Sequence, residues 1–170
     1  MGRVKSRLAR AIGIVPATMF QRVTLARLVR DMSADPRWRT LMAVAPDTAI
    51  ASPMLPPGTR IAQGSGDLGA RMARVFASFP DDTLLVVGAD IPAMTRAHVE
   101  RAFTLAERHG AVLGPAGDGG YWCVGLAGGF RPPDIFAGVR WSSEHALADT
   151  LRTLPQGRVA LADQLDDVDG

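Results

Sequence analysis

The chain has 170 residues, 47% of them hydrophobic and 21% charged, with 18 glycines and 12 prolines. That is the profile of one globular domain spanning 1–170, and it excludes a disordered or collagen-like polypeptide. Cys123 is the single cysteine, which rules out a disulfide framework within the chain. No run reaches the ~18 apolar residues of a membrane span, and the start lacks the apolar core of a secretory signal. The net charge is only +2, yet Arg3, Lys5, Arg7, Arg10, Arg22, Arg27 and Arg30 stand in the first thirty residues without one acid, so all 17 acids lie beyond them. An anion is expected at that end, although the same composition also suits a mitochondrial transit peptide or a solvated helix face. A cytoplasmic protein is expected, with no membrane and no nucleic acid among its partners.

In chain order, Pro16 suits a helix start, and Leu25, Leu28, Val29 and Met32 follow at i, i+3, i+4 and i+7, which predicts a helix with one buried stripe. Residues 41–45 are a short strand closed by Pro46, and residues 52–58, with Pro53, Pro56, Pro57 and Gly58, are a loop. A short strand over 59–62 precedes a second amphipathic helix marked by Leu68, Met72, Val75, Phe76 and Phe79 and ended by Pro80. Residues 84–89 form an uninterrupted apolar run, the pattern of a central strand buried on both faces of a parallel sheet. Thr95 caps a helix that His109 and Gly110 close. Strands follow over 111–113 and 121–126, then a helix capped by Ser142 or Ser143 and running towards Leu154, then a strand over 158–161. Alternating strands and helices predict an α/β layer fold with a mostly parallel sheet.

Four segments have the composition of sites. Asp90 ends the most apolar strand, where an open α/β sheet places ligands and where a carboxylate can hold a divalent cation that bridges phosphates; an Asx turn stiffened by Pro92 explains it equally well. Gly114, Gly117, Gly119 and Gly120 surround Asp118, which reads either as a ligand loop or as an Asp-Gly hairpin turn. Gly64, Gly66 and Gly69 satisfy the spacing of a dinucleotide loop. Asp67, however, would set a carboxylate against the pyrophosphate, and a helix start capped by Asp67 or Ser65 is the alternative. Lys5 and Arg7 flank a possible helix N-terminus that suits a diphosphate, without the glycines of a Walker loop. Asp163, Asp166, Asp167 and Asp169 crowd the end as a solvated tail would. His98, His109 and His145 lack metal-ligand spacing and are expected to be structural.

Together Gly2-x-Val4-Lys5-Ser6-Arg7-Leu8, Gln63-Gly64-x-Gly66-Asp67-Leu68-Gly69-x-Arg71-Met72, Gly88-Ala89-Asp90-x-Pro92, Leu113-Gly114-Pro115-x-x-Asp118-Gly119-Gly120-Tyr121, Trp141-Ser142-Ser143 and Asp167-Val168-Asp169 resemble a family of small bacterial glycosyltransferase-A-like proteins. That family is classed with the nucleotide-diphospho-sugar transferases and includes the glycosyltransferase of arsenosugar biosynthesis clusters. The resemblance implies a Rossmann-like glycosyltransferase-A fold, helices flanking a mostly parallel sheet, and a glycosyltransferase activity. Its partners would be a nucleotide-sugar donor and a small-molecule acceptor, and its cofactor a Mg or Mn divalent cation. It implies that Lys5 and Arg7 neutralise the diphosphate and that Gly64, Gly66, Asp67 and Gly69 line the nucleotide pocket. Asp90, with Asp169, would hold the metal, Asp118 would be the general base, and Gly119, Gly120, Tyr121 and Trp141 would meet substrate. Nucleotidyl transfer from a nucleoside triphosphate, or nucleotide binding without turnover, uses the same features. Members of the family carry an apolar strand before the basic loop, and this chain starts inside that loop. The expected fold therefore lacks its first strand, with an exposed groove beside 84–89 and a mobile loop at Lys5.

Overall fold

The computed structural model describes residues 14–166. It opens with helix α1, Ile14–Ser33, whose Thr24, Leu28, Val29 and Met32 are buried while Val15, Met19 and Val23 face outward. Strand β1, Leu41–Val44, is followed by a 3-10 turn, Asp47–Ala49, and by β2, Thr59–Ala62. Helix α2, Leu68–Ala77, starts where Asp67 accepts the Ala70 N–H, and it buries Met72, Val75 and Phe76. Strand β3, Leu84–Val87, leads to α3, Arg96–His109, where Thr95 and His98 form a reciprocal capping box and Gly110, at φ 103°, ends the helix. His98 is thus structural, as expected. Strands β4, Ala111–Pro115, and β5, Tyr121–Leu126, precede α4, Ala146–Arg152, and β6, Val159–Leu161.

The described strands form two sheets. β1 and β2 pair in parallel, and a second sheet has the order β3-β5-β4-β6. β4 pairs with β6 in parallel, while β5 runs antiparallel to both its neighbours. Three strands of the larger sheet thus share one direction, and β5 is the exception. The reason is local: Gly117, Gly119 and Gly120 let the chain reverse directly out of β4, so β5 enters beside it as a hairpin partner and separates β4 from β3.

This corrects two expectations. Among the described strands β3 ends the order of the four-stranded sheet instead of lying inside it, and each of its four residues is only half-buried. Both its faces are nonetheless covered, since Leu85 and Val87 pack with Met32, Ile91 and Val99 on one side, and Leu84 and Val86 pack with Met72 and Phe76 on the other. The apolar run is what two-faced burial demands. The last helix also starts later than the serines suggest. Ser142 takes φ 60°, and Ser143 Oγ accepts the His145 N–H in a turn that precedes α4.

Arg131 fastens the end of α2 to the sheet. Its guanidinium donates to the carbonyls of Phe76, Ala127, Phe130, Phe79 and Asp82 and lies over the Phe76 ring. Phe76 is 1% exposed and lies at the centre of the α2 side of the core. Phe76→Ala should lower the unfolding free energy by about 3–5 kcal/mol, read as a shifted urea midpoint with an unchanged slope.

Candidate functional site

The topology brings the candidate carboxylates to one edge. Val87 at the end of β3 pairs with Cys123 near the start of β5, and the Gly88 N–H donates to the Trp122 carbonyl at 2.8 Å. Pro115 at the end of β4 pairs with Tyr121. Beyond β6, the Ala162 N–H donates to the Leu113 carbonyl and the Leu165 N–H to the Pro115 carbonyl. The carboxyl ends of β3, β4 and β6 therefore meet the start of β5, and Asp90, Asp118, Asp163 and Asp166 share that rim.

Asp90 follows the strand by three residues, and its Oδ1 lies 3.2 Å from where a Cβ on Gly88 would stand. A side chain at position 88 would crowd the carboxylate. Asp118 is at the tip of the β4–β5 hairpin and accepts the Gly120 N–H on Oδ1 at 2.9 Å. The hairpin reading of this loop is thus correct as local structure, with the Ala116 N–H donating to the Gly120 carbonyl across its base. Two further contacts fix the loop: Gly117 N–H donates to Asp166 Oδ1 at 2.8 Å, and Leu147 N–H donates to the Gly119 carbonyl at 3.0 Å. Gly119 has φ 82°, and a Cβ there would collide with the backbone of Glu144. Asp163 is held by Arg101 at 2.6 Å, and its carbonyl takes the Trp122 indole N–H.

The glycine loop after β2 reaches the same rim through Trp141. That ring stands over Gly69, whose Cβ would meet it at 2.8 Å, and packs edge-on to Tyr121 with centroids 6.4 Å apart. Phe136 closes the cluster at 5.9 Å. Within the loop, Asp67 caps α2, Gly64 N–H donates to Asp47 Oδ1, and Arg74 binds the carbonyls of Gln63 and Ser65. The helix-start reading of this segment is the one realised. Lys5, Arg7 and Asp169 lie outside the described residues. Among the described residues no three His, Cys, Asp or Glu side chains gather as a closed metal cage. Asp90 is a hard oxygen donor of the kind that Mg²⁺ takes singly, with phosphate and water completing its shell.

The family of bacterial proteins described as "Uncharacterized protein conserved in bacteria (DUF2064)" matches residues 28–143. The chain belongs to this family. A crystal structure from Desulfovibrio desulfuricans, described as a "putative nucleotide-diphospho-sugar transferase", is 27% identical, with a TM-score of 0.82 over 99% of this chain and 77% of that one. The α/β fold is therefore that of a nucleotide-diphospho-sugar transferase. No protein of curated function matches. The segment shared with the DUF2064 family contains Gly64, Gly66, Asp67, Gly69, Asp90, the 118–121 loop and Trp141, and excludes Lys5, Arg7 and Asp169. Among the described residues, no helix is long and apolar enough to cross a membrane.

Electrostatics sort the polar groups of this DUF2064 protein into those that can exchange protons and those that cannot. Burial pushes the Cys123 thiol up to about 12 and the Tyr121 hydroxyl well above its usual value, so neither ionises near neutrality. Sequence reasoning missed the pair that positions Trp141. Asp149 is almost wholly buried and receives Arg140 N, Nε and Nη2 together with Arg152 Nη1, so the residue before Trp141 is pinned to α4. No spacing rule marks such a pair, because its members stand nine residues apart across an irregular segment.

The Arg140 guanidinium holds the Asp149 carboxyl far below the carboxylate range, and Arg37 does the same to Asp35, bringing it to about 2. A carboxyl whose folded pKa is depressed contributes its full stability above the unfolded value of about 3.9 and loses it as pH falls through the folded one. The melting temperature should therefore drop between about pH 4 and pH 2. Asp149→Asn should melt lower at pH 7, show a shallower acid limb and shift tryptophan emission to longer wavelength as Trp141 loosens.

Proposed function

We propose that the chain is a metal-dependent transferase that uses a nucleotide-activated sugar and transfers the glycosyl group to a small hydroxyl-bearing acceptor. The observation that carries this reading is the meeting of Asp90, the Asp118 hairpin and the Trp141-covered glycine loop at one carboxyl rim, in a fold shared over 99% of this chain with a protein described as a "putative nucleotide-diphospho-sugar transferase".

In this reading Asp90 holds a Mg²⁺ or Mn²⁺ ion, and Lys5 and Arg7 meet the diphosphate. A cation held by Asp90 would supply charge stabilisation for a departing diphosphate. The cationic side chains add to that stabilisation, which is largest where water is excluded. Gly64, Gly66, Asp67 and Gly69 border the nucleotide. Gly119, Gly120, Tyr121 and Trp141 border the sugar, with Trp141 and Tyr121 supplying apolar ring faces. Asp118 Oδ1 is engaged by the Gly120 N–H, which orients the carboxylate and leaves Oδ2 to accept a proton from the acceptor hydroxyl. The acceptor oxygen bonds to the anomeric carbon as the bond from that carbon to the diphosphate breaks, a step that needs no covalent enzyme intermediate where configuration inverts.

Nucleoside diphosphates should raise the melting temperature only in the presence of Mn²⁺ or Mg²⁺. At 100 times its dissociation constant a ligand adds about 2.7 kcal/mol, several degrees for a domain of this size. Asp90→Asn should remove the metal-dependent part of the shift and leave the unliganded melting temperature near the parent value. Asp118→Asn should keep the shift and lose turnover. Product analysis identifies the reaction, since glycosyl transfer releases a nucleoside diphosphate and nucleotidyl transfer releases pyrophosphate. Equal shifts with and without cation, or an Asp118→Asn protein that still turns over, would overturn these roles.

A further inference from the structure

Two of the carboxylates that the sequence crowds beyond β6 are tied into the rim. Asp163 is bridged to Arg101, and Asp166 Oδ1 accepts the Gly117 N–H at 2.8 Å. The segment that carries them, residues 162–166, lies as a strap along β4 and the start of its hairpin.

The strap does not continue β6 in regular register. Ala111, Val112 and Leu113 pair in parallel with Val159, Ala160 and Leu161, and the Ala162 N–H donates to the Leu113 carbonyl as that ladder requires. Two residues further along β4, an even parallel ladder would bring the Gln164 N–H to the Pro115 carbonyl. The Leu165 N–H arrives there instead, at 3.1 Å, so the strap holds one residue more than the stretch of β4 beside it. On the other side of β4 the pairing with β5 shifts between Gly114 and Pro115, at the same level. Extra residues of this kind re-aim the side chains beside them. Here they bring Asp166 level with Gly117, the residue before Asp118.

Gly117 shows the same fit from the other side. Its φ lies outside the left-handed region, so backbone conformation does not call for glycine there. Space does, because a Cβ at 117 would stand 2.7 Å from Asp166 Oδ1. On the far side of Asp118, the Gly119 carbonyl takes the Leu147 N–H and the Glu144 backbone lies against Gly119. The hairpin is thus gripped on both sides of its carboxylate, by the strap and by the turn into α4. We propose that Asp166 is a positioning residue for Asp118: by holding the Gly117 N–H it keeps the hairpin tip in the geometry in which Asp118 Oδ1 takes the Gly120 N–H and Oδ2 is left for the acceptor hydroxyl. The inference rests on the reading of Asp118 as general base. Asp166 acts through the backbone and touches no reacting atom. What it supplies is an acceptor oxygen, which an asparagine side chain also carries and an alanine does not.

The test follows the Gly120 amide by NMR hydrogen exchange in the parent, Asp166→Ala, Asp166→Asn and Gly117→Ala, with the melting temperature of each. Asp166 is exposed and outside the core, so its removal leaves the fold standing. Asp166→Ala, which deletes the acceptor, and Gly117→Ala, which pushes it away, should each exchange Gly120 about tenfold faster. The amides of Val124 and Leu126 should keep their parent rates, and either alanine variant decides the matter if the other fails to fold. Asp166→Asn should stay within about twofold of the parent. Where the protein releases a nucleoside diphosphate from a nucleotide sugar, Asp166→Ala should lower kcat about tenfold with KM for that donor unchanged, and Asp166→Asn should restore it. Unchanged Gly120 exchange in the alanine variants, or an Asp166→Asn protein that exchanges as fast as Asp166→Ala, would overturn the proposal and leave the general-base reading standing. Turnover that survives Asp118→Asn would instead overturn that reading with the exchange pattern unaltered, so the two failures are told apart.

Discussion

The site depends on the antiparallel insertion of β5 between β3 and β4. Five of its six residues, Trp122 to Leu126, are buried, and it is the one strand that hydrogen-bonds to both carriers of the candidate carboxylates. Because a strand's ends are fixed by its register, the pairing of Val87 with Cys123 and of Pro115 with Tyr121 sets the relative height of Asp90 and Asp118. Moving β5 by one residue would turn Trp122 and Val124 to the opposite face of the sheet. The two carboxylates would then separate along the rim as the core on both sides came apart.

Around that strand, irregular segments are held by guanidinium groups more than by helix packing. Arg131 gathers five carbonyls from the ends of α2 and β5, and Arg60 gathers those of Ile50, Ser52, Leu55 and Pro56 in the proline-rich loop. A planar fork with five donors can satisfy several carbonyls at fixed angles, whereas an ammonium on a flexible stem cannot. Eighteen of the nineteen basic residues are arginine, and at these two places the choice has a structural consequence: the loops that flank the site are tied by backbone acceptors that a lysine could not reach together.

Much of this was legible in the sequence because its signals are local. Asp67 and Thr95 announce their helices by the chemistry of the cap, and the spacing of Met72, Val75 and Phe76 gives the buried face of α2. The run from Leu84 to Val87 is apolar because both its faces are covered. What could not be read is pairing. Nothing in the composition of residues 121–126 distinguishes a strand entering antiparallel beside β4 from one reached by a crossover, so β3 looked central when it ends the order of the described strands. The Asp-Gly hairpin signal at Asp118 pointed to the right turn, and its weight could be judged only against the surrounding glycines. The Arg140–Asp149 pair and the Trp141 contact over Gly69 are long-range, joining segments with no shared period.

Asp90 hangs from the end of one short strand. β3 has four residues, and at about 3.3 Å per residue its length is roughly 13 Å. Asp90 hangs from its carboxyl end through Gly88 and Ala89, so any fraying of β3 reaches the carboxylate directly. A strand paired on one side only opens at lower free energy than one paired on both, since fewer hydrogen bonds and less buried surface must be given up. Catalytic placement tolerates errors of only about half an ångström. The height of Asp90 along the rim is thus set by the pairing of β3 with β5, from Leu84 with Leu126 to Val87 with Cys123, and not by the turn at Pro92 alone.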